Sequence, residues 1–200
     1  MRFYKWFYRI CYFLLRFVFG IVYPMRVSGK ENIPEGAAMV CCNHSSMADP
    51  FLAALLFGKD GHVHIIGKIE VFRIPIISSI LKKLRMISVD RDILDGSTIK
   101  STLNYLKNNE KVIIFPEGTR ISTDDASSAK TGAVKLAERT AVPILPIYIP
   151  RKKPLFRRTP IVIGDRYTIE KQTPKRTADE YDILANALMD KIKLLNPVKR

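Results

Sequence analysis

In the stretch CCNHSSMADP, Cys41 to Pro50, a histidine and an aspartate stand five positions apart, His44 and Asp49. One apolar run leads into it, AAMVCC, and another leads out, PFLAALLF. The pair therefore sits in a short joint between two buried elements. A carboxylate on the Nδ1–H of a histidine makes an oriented base. It fixes the tautomer, stabilises the imidazolium, and leaves Nε2 free to take a proton from a hydroxyl. On a regular helix residues five apart do not meet. A strand ending near Cys42, followed by a turn, removes that obstacle. Asp49 then serves as N-cap of the next helix, with Pro50 in its first position, and the turn folds the carboxylate back onto the imidazole. The plainer alternative is that Asp49 only caps the helix and His44 is a polar loop residue. One carboxylate oxygen can serve each purpose, so the two are not exclusive.

Ser45 and Ser46 adjoin the histidine, but a serine next to its own base is poorly placed to reach Nε2, and no G-x-S-x-G elbow is present. His62 and His64 share one face of a strand, as metal ligands can. No third ligand is evident, so a core or surface role is expected and no metal site. A second joint closes the run KVIIFPEGTR. Pro116 stops the strand, Gly118 permits close backbone approach, and Arg120 offers a planar fork suited to phosphate. An ordinary turn with a solvated arginine is the alternative.

The elements that must hold these joints read as strands alternating with helices. Strand candidates are 25–29, 37–42, 62–66, 86–90, 111–115, 143–149 and 160–164. Helix candidates are 50–58, 75–84, 96–108, 128–139 and 177–195, the last opening with Thr177 as N-cap and Glu180 completing a capping box. This pattern predicts an α/β fold, a mostly parallel twisted sheet flanked by helices, with ligands gathered where strands end.

The chain of 200 residues carries 33 basic and 19 acidic side chains, a net charge of +14, so anionic partners are expected. Three cysteines, Cys11, Cys41 and Cys42, make no disulfide framework and point to a reducing compartment. Residues 1–24 stand apart as a predicted membrane-associated helix preceding a body at 25–200. Arg2, Lys5, Arg9 and Arg16 fall on one helical stripe, and more than half of the chain's aromatic residues surround it. That is the pattern of a helix lying in a membrane interface. A spanning helix has to bury Arg9 and Arg16, each costing roughly 2.5–3.5 kcal/mol near the bilayer centre. A helix packed on the domain with solvated arginines is the third reading.

Taken together, four blocks resemble the glycerolipid acyltransferases: NHSSMAD for N-H-x4-D, then ISVDR (87–91), FPEGTR (115–120) and VPILPI (142–147). Order and spacing agree over some 120 residues, and the short chain with its N-terminal helix looks most like the bacterial 1-acylglycerol-3-phosphate acyltransferases. The resemblance implies a glycerol-3-phosphate acyltransferase-like fold. It also implies transfer of a fatty acyl group from acyl-CoA or acyl carrier protein to the free hydroxyl of lysophosphatidate, with no cofactor. His44 would be the base and Asp49 its partner. Arg91, Glu117, Gly118, Thr119 and Arg120 would form the acceptor's phosphate and glycerol site, Lys68 would also reach the phosphate, and VPILPI would shape the acyl-binding floor. A place at the cytoplasmic face of the cell membrane, peripheral or monotopic, goes with this. Two departures stand out: Leu84-Arg85 where many relatives carry Leu-Gly, an arginine expected to alter acceptor choice, and Ala129 in place of an aromatic before Gly132. Rival readings keep the chemistry and change the acceptor to glycerol 3-phosphate, another lysophospholipid or a lipid lacking phosphate. Nucleic acid is the rival of a different class. The charge and RKKPLFRR (151–158) allow it. However, no nucleic-acid motif is present, and anionic lipid beside an interfacial helix accounts for the basic run.

Overall fold

A strand buried on both faces cannot alternate apolar with polar residues, and Ala38-Met-Val-Cys-Cys42 does not. In the structure, a computed structural model describing residues 2–90, 96–124 and 129–197, all five of these side chains are buried. The elements run α1 (Arg2–Val22), β1 (Met25–Ser28), β2 (Ala38–Cys42), α2 (Asp49–Leu55), β3 (Val63–Lys68), α3 (Pro75–Lys83), β4 (Ile87–Val89), α4 (Gly96–Lys107), β5 (Lys111–Ile114), α5 (Gly132–Thr140), β6 (Ile144–Tyr148), β7 (Thr159–Ile163) and α6 (Ala178–Leu194). Short 3-10 turns at Lys30–Asn32 and Ile69–Arg73 were not foreseen, because three to five residues give too little periodicity to read.

The strands form one sheet in the order β1-β7-β6-β2-β5-β3-β4. Every neighbouring pair is parallel except β6 with β7. Residues 39 and 41 of β2 join one core with Val134, Ala137, Leu188, Met189 and Ile192 of α5 and α6. Residues 38, 40 and 42 join the other, with Leu52 and Ala53 of α2. The predicted α/β sheet covered on both faces is thus the architecture found. Thr177 caps α6 in a full capping box with Glu180.

Helix α1 is both packed and open. Tyr4 and Tyr8 are buried beside His62 and His64, with the Tyr8 and His62 rings 5.0 Å apart, and Phe19 meets Phe51 of α2 at 5.4 Å. The other side presents Trp6, Phe13, Leu14, Phe17, Val18 and Ile21 to the outside, Phe17 at 71% exposure. Among the described residues no helix is long and apolar enough to cross a membrane. Arg85 corrects an expectation. Its guanidinium lies 4.2 Å over the ring of Tyr4, and it precedes β4, at the sheet edge opposite the strand ends that carry the motifs. It anchors α1 rather than facing an acceptor. VPILPI likewise departs from its expected place. Leu145 and Ile147 pack in one core and Ile144 in the other, so β6 is an interior strand and not the floor of an open acyl site.

Candidate active site

The register of parallel strands puts their C-terminal ends on one edge. Cys42 pairs with Ile147, Cys41 with Ile114, and Lys68 with Val89. The joints after β2 and β5, the end of β3 and the loop after β6 therefore meet there. Asn43 extends the sheet one step beyond β2. Its side chain donates to the carbonyl of Ile149 (2.7 Å) and accepts the N–H of Ile149 (2.8 Å). The next residue, His44, is thereby delivered to the edge.

His44 Nδ1 lies 3.1 Å from Asp49 Oδ2, and its ring lies 4.4 Å from that of Phe115. The turn between them is held by the same carboxylate. Oδ2 accepts the N–H groups of Ser45 (2.6 Å) and Ser46 (2.7 Å), and Oδ1 accepts the Ser46 hydroxyl (3.1 Å). Asp49 was expected as N-cap. It is instead the first helical residue, with Ala48 as the cap and no side-chain cap bond. The carboxylate reaches backward into the turn because the backward donors include a histidine ring. Its side chain is fully buried, and Lys153 Nζ sits 2.8 Å from Oδ1. Burial alone raises the carboxyl pKa. The hydrogen bond from His44, the Lys153 charge and the Ser45 N–H outweigh burial and lower it to about 2.

Glu117 was expected to touch the acceptor. It is buried, and both of its oxygens are engaged within the protein: Oε2 accepts the His44 backbone N–H at 2.6 Å, and Oε1 pairs with Arg151 Nη2 at 2.5 Å. Its part is to fix the histidine's backbone. Arg151 also pairs through Nε with Asp124 (2.6 Å) and donates to the carbonyl of Ile121 (2.7 Å), while the Ile121 N–H returns to the His44 carbonyl at 2.8 Å. Gly118, at φ +68, turns the chain outward after Glu117. A side chain there is strained by that φ, and its Cβ would press on Lys130 Cγ at 3.3 Å. Thr119 and Arg120 follow, exposed at the same edge. Lys68 is half-exposed and paired with Glu70 at 2.8 Å. Arg91 lies outside the described residues.

Arg151, Lys153 and Asn43 were missed as site residues. The run RKKPLFRR was read for its total charge. In extended backbone alternate residues face opposite ways, and here Arg151 and Lys153 turn inward while Lys152 stays exposed. That alternation, a few residues past a strand aimed at the site, was the available signal. His62 and His64 lie far from this edge, at the start of β3. Among the described residues no cluster of three His, Cys, Asp or Glu side chains is arranged to hold a metal ion.

A carboxyl whose pKa is depressed by folding contributes stability that is present above the ordinary aspartate range and lost as pH falls through the folded value. Lowered from 3.8 to about 2, Asp49 carries roughly 2 kcal/mol of such stability. In urea unfolding of the wild type and Asp49→Asn, the gap between the two is therefore expected to narrow by about 2 kcal/mol from pH 5 to pH 2. A gap that stays constant over that range contradicts the buried, donor-saturated carboxylate.

Comparison with known proteins agrees with this geometry. The Acyltransferase family model matches residues 24–150, which include the joints after β2 and β5 and stop just short of Arg151 and Lys153. The 1-acyl-sn-glycerol-3-phosphate acyltransferase of Bacillus subtilis is 33% identical over 140 residues, 70% of this chain and 69% of that protein. The Pseudomonas aeruginosa protein of the same name is 32% identical over 142 residues, again 70% of this chain but 53% of that one. The chain thus spans about half of the Pseudomonas protein and little more than two thirds of the Bacillus one. The crystal structure of the 1-acyl-sn-glycerophosphate acyltransferase PlsC from Thermotoga maritima superposes with a TM-score of 0.66 at 24% identity, over 98% of this chain and 78% of that one. It shares the fold. With the family model covering well over half of its residues, the chain belongs to the acyltransferase family.

Proposed function

We propose that the chain transfers a fatty acyl group from an acyl thioester, carried by coenzyme A or acyl carrier protein, to the free hydroxyl of 1-acylglycerol 3-phosphate, yielding phosphatidic acid. The observation that carries this reading is His44, held through Nδ1 by a buried Asp49 at 3.1 Å on the sheet edge where Gly118 to Arg120 emerge. The names of the Bacillus and Pseudomonas relatives support the acceptor.

His44 Nε2 takes the hydroxyl proton as the oxygen attacks the thioester carbonyl. The C–O bond forms, the C–S bond breaks, and the proton passes from the imidazolium to the departing thiolate. No covalent enzyme intermediate is needed. The N–H groups of Ser45 and Ser46 are already spent on Asp49, so the donors for the developing oxyanion lie elsewhere. Arg120, Thr119 and Gly118 form the acceptor's phosphate and glycerol site, with Lys68 reaching it from the end of β3 and Arg91 assigned to the same site by the family motif alone. Residues 25–200 are the catalytic body. Residues 1–24 associate with a membrane, peripherally or monotopically, at its cytoplasmic face. The free apolar side of α1 enters the interface, with Lys5 and Arg16 exposed beside it. Arg9 is drawn away from that task by its ion pair with Asp60 at 2.7 Å.

Thioester-release assays with lysophosphatidate are expected to show turnover by the wild type and a loss of about 10²–10⁴-fold in folded His44→Ala. Near-normal turnover by that variant sinks the base assignment, and activity only on an acceptor lacking phosphate redirects the acceptor assignment.

Arg120→Ala is expected to raise the apparent KM for lysophosphatidate more than that for the thioester, a charge-assisted contact being worth roughly 1.5–3 kcal/mol. Equal changes in both would assign Arg120 to the donor or to the fold.

In vesicle flotation, Lys5→Gln with Arg16→Gln is expected to lower binding to anionic vesicles by about tenfold or more, at about 1 kcal/mol per basic residue, and to neutral vesicles little. Equal binding to both compositions by wild type and variant would remove the basic residues from the docking.

A further inference from the structure

The acyl-transfer chemistry leaves Lys153 without a task. Its side chain is 3% exposed. The ammonium lies 2.8 Å from Asp49 Oδ1 and donates to the Ser45 hydroxyl at 2.8 Å and to the Pro150 carbonyl at 2.6 Å. Burying a cation is costly, and a buried ion pair is commonly no more stabilising than apolar side chains of the same volume. Pinning the loop needs only a neutral donor. What calls for a charge is Asp49, whose other oxygen receives the Nδ1 of His44. A single carboxylate is therefore shared between an imidazole and an ammonium.

The charges around His44 come from every element packed on it. Asp49 faces it from α2, Glu117 from the turn after β5, and Arg151 with Lys153 from the loop after β6, while Asp124 stands behind Arg151. Cys41 and Cys42 of β2 are buried thiols, pushed up by burial and uncharged. Arg151 is occupied by Glu117 and Asp124. Lys153 is thus the cation that answers the carboxylate touching the imidazole.

We infer that Lys153 is a positioning residue of the acyl transfer: its ammonium fixes the Asp49 carboxylate toward His44 and offsets part of its charge, so that the carboxylate orients the imidazole while favouring the imidazolium less. An uncompensated carboxylate orients a histidine equally well but favours the imidazolium, which cannot act as base. Lys153 separates the two effects. Its contribution is largest on the acid side, where an imidazolium-prone site loses activity first. The kinetic consequence rests on the proposed acyl transfer, whereas the electrostatic one does not.

The test uses Lys153→Met, matched in length and neutral, Lys153→Gln as a second neutral variant, and Lys153→Arg, which keeps the charge. With only three histidines in the chain, the ring of His44 can be followed through a pH titration by NMR in the absence of any substrate. Its midpoint is expected to rise by at least about half a pH unit in the neutral variants and to stay near the wild-type value in Lys153→Arg. In the acyl-transfer assay the acid limb of kcat/KM is expected to move up by the same amount, with KM for the acceptor little changed. An unmoved midpoint in a folded neutral variant overturns the inference. So does an activity loss that is uniform across pH, which is the mark of a merely structural role. Should Lys153→Met fail to fold, Lys153→Gln carries the same comparison. A wild type inactive on lysophosphatidate with the midpoint still shifted would count against the proposed acceptor and leave Lys153 in this role.

Discussion

A carboxylate shut away from water has to be surrounded by donors, and at Asp49 five of them converge: the His44 ring, the N–H groups of Ser45 and Ser46, the Ser46 hydroxyl and the Lys153 ammonium. Each donor commits a piece of chain. The turn after β2 must curl around the aspartate, and the loop after β6 must bring its lysine inward. Glu117 repeats the device one layer away, binding the His44 backbone on one oxygen and Arg151 on the other. Two buried acids thus tie the exits of β2, β5 and β6 into one assembly. Leaving either unpaired strands a charge in a low dielectric, so the loops hold their places even though loops are ordinarily the mobile part of a fold.

Much of the frame could be read from residue pattern. All seven strands were foreseen within two residues of their ends, because parallel strands buried on both faces are unbroken apolar runs and the helices between them are amphipathic. His44 and Asp49 were legible because the joint is short and bounded by strong punctuation, Pro50 on one side and a buried strand on the other. What escaped notice depends on distance through space. Lys153 lies more than a hundred positions from Asp49 in the chain, and the direction of a side chain in an irregular loop is set by the partner it finds. Glu117 was assigned to the acceptor by its place in the motif FPEGTR; the arginine that buries it comes from a different strand end, which that motif does not contain. Asp49 was one position off as a cap, since local propensity cannot weigh a histidine ring against a helix N–H.

The charge balance of the molecule has two layers. The net +14 lies over a site whose interior is rich in acids, with Asp49, Glu117 and Asp124 all answered by inward-turned Arg151 and Lys153. The far end of the sheet has its own cluster. There His64 lies stacked on Tyr105 at 3.6 Å between the ring systems, with Nδ1 against the Arg85 carbonyl and Nε2 against Glu110. Tyr4 of α1 lies nearly parallel to the His64 ring, 6.4 Å between centroids, under the Arg85 guanidinium. An aromatic and cationic grip therefore fixes the start of α1, while its later turns lean on α2 through Phe19 and Phe51.

The antiparallel pairing of β6 with β7 has a consequence for where the chain enters the sheet. Because β1 runs alongside β7, its first residue rather than its last stands on the edge occupied by His44. The end of α1 is fastened there: the Val22 carbonyl accepts the Phe156 N–H and the Pro24 carbonyl the Thr159 N–H, each at 2.8 Å. The end of α1 thus stands beside the loop that carries Lys153. With α1 docked on a membrane as proposed, an acceptor lipid has only a sideways path to travel, without leaving its leaflet. The concentration that governs such a reaction is two-dimensional. Diluting the acceptor among inert lipids slows each bound enzyme, whereas diluting the whole suspension changes only how many enzyme molecules are bound.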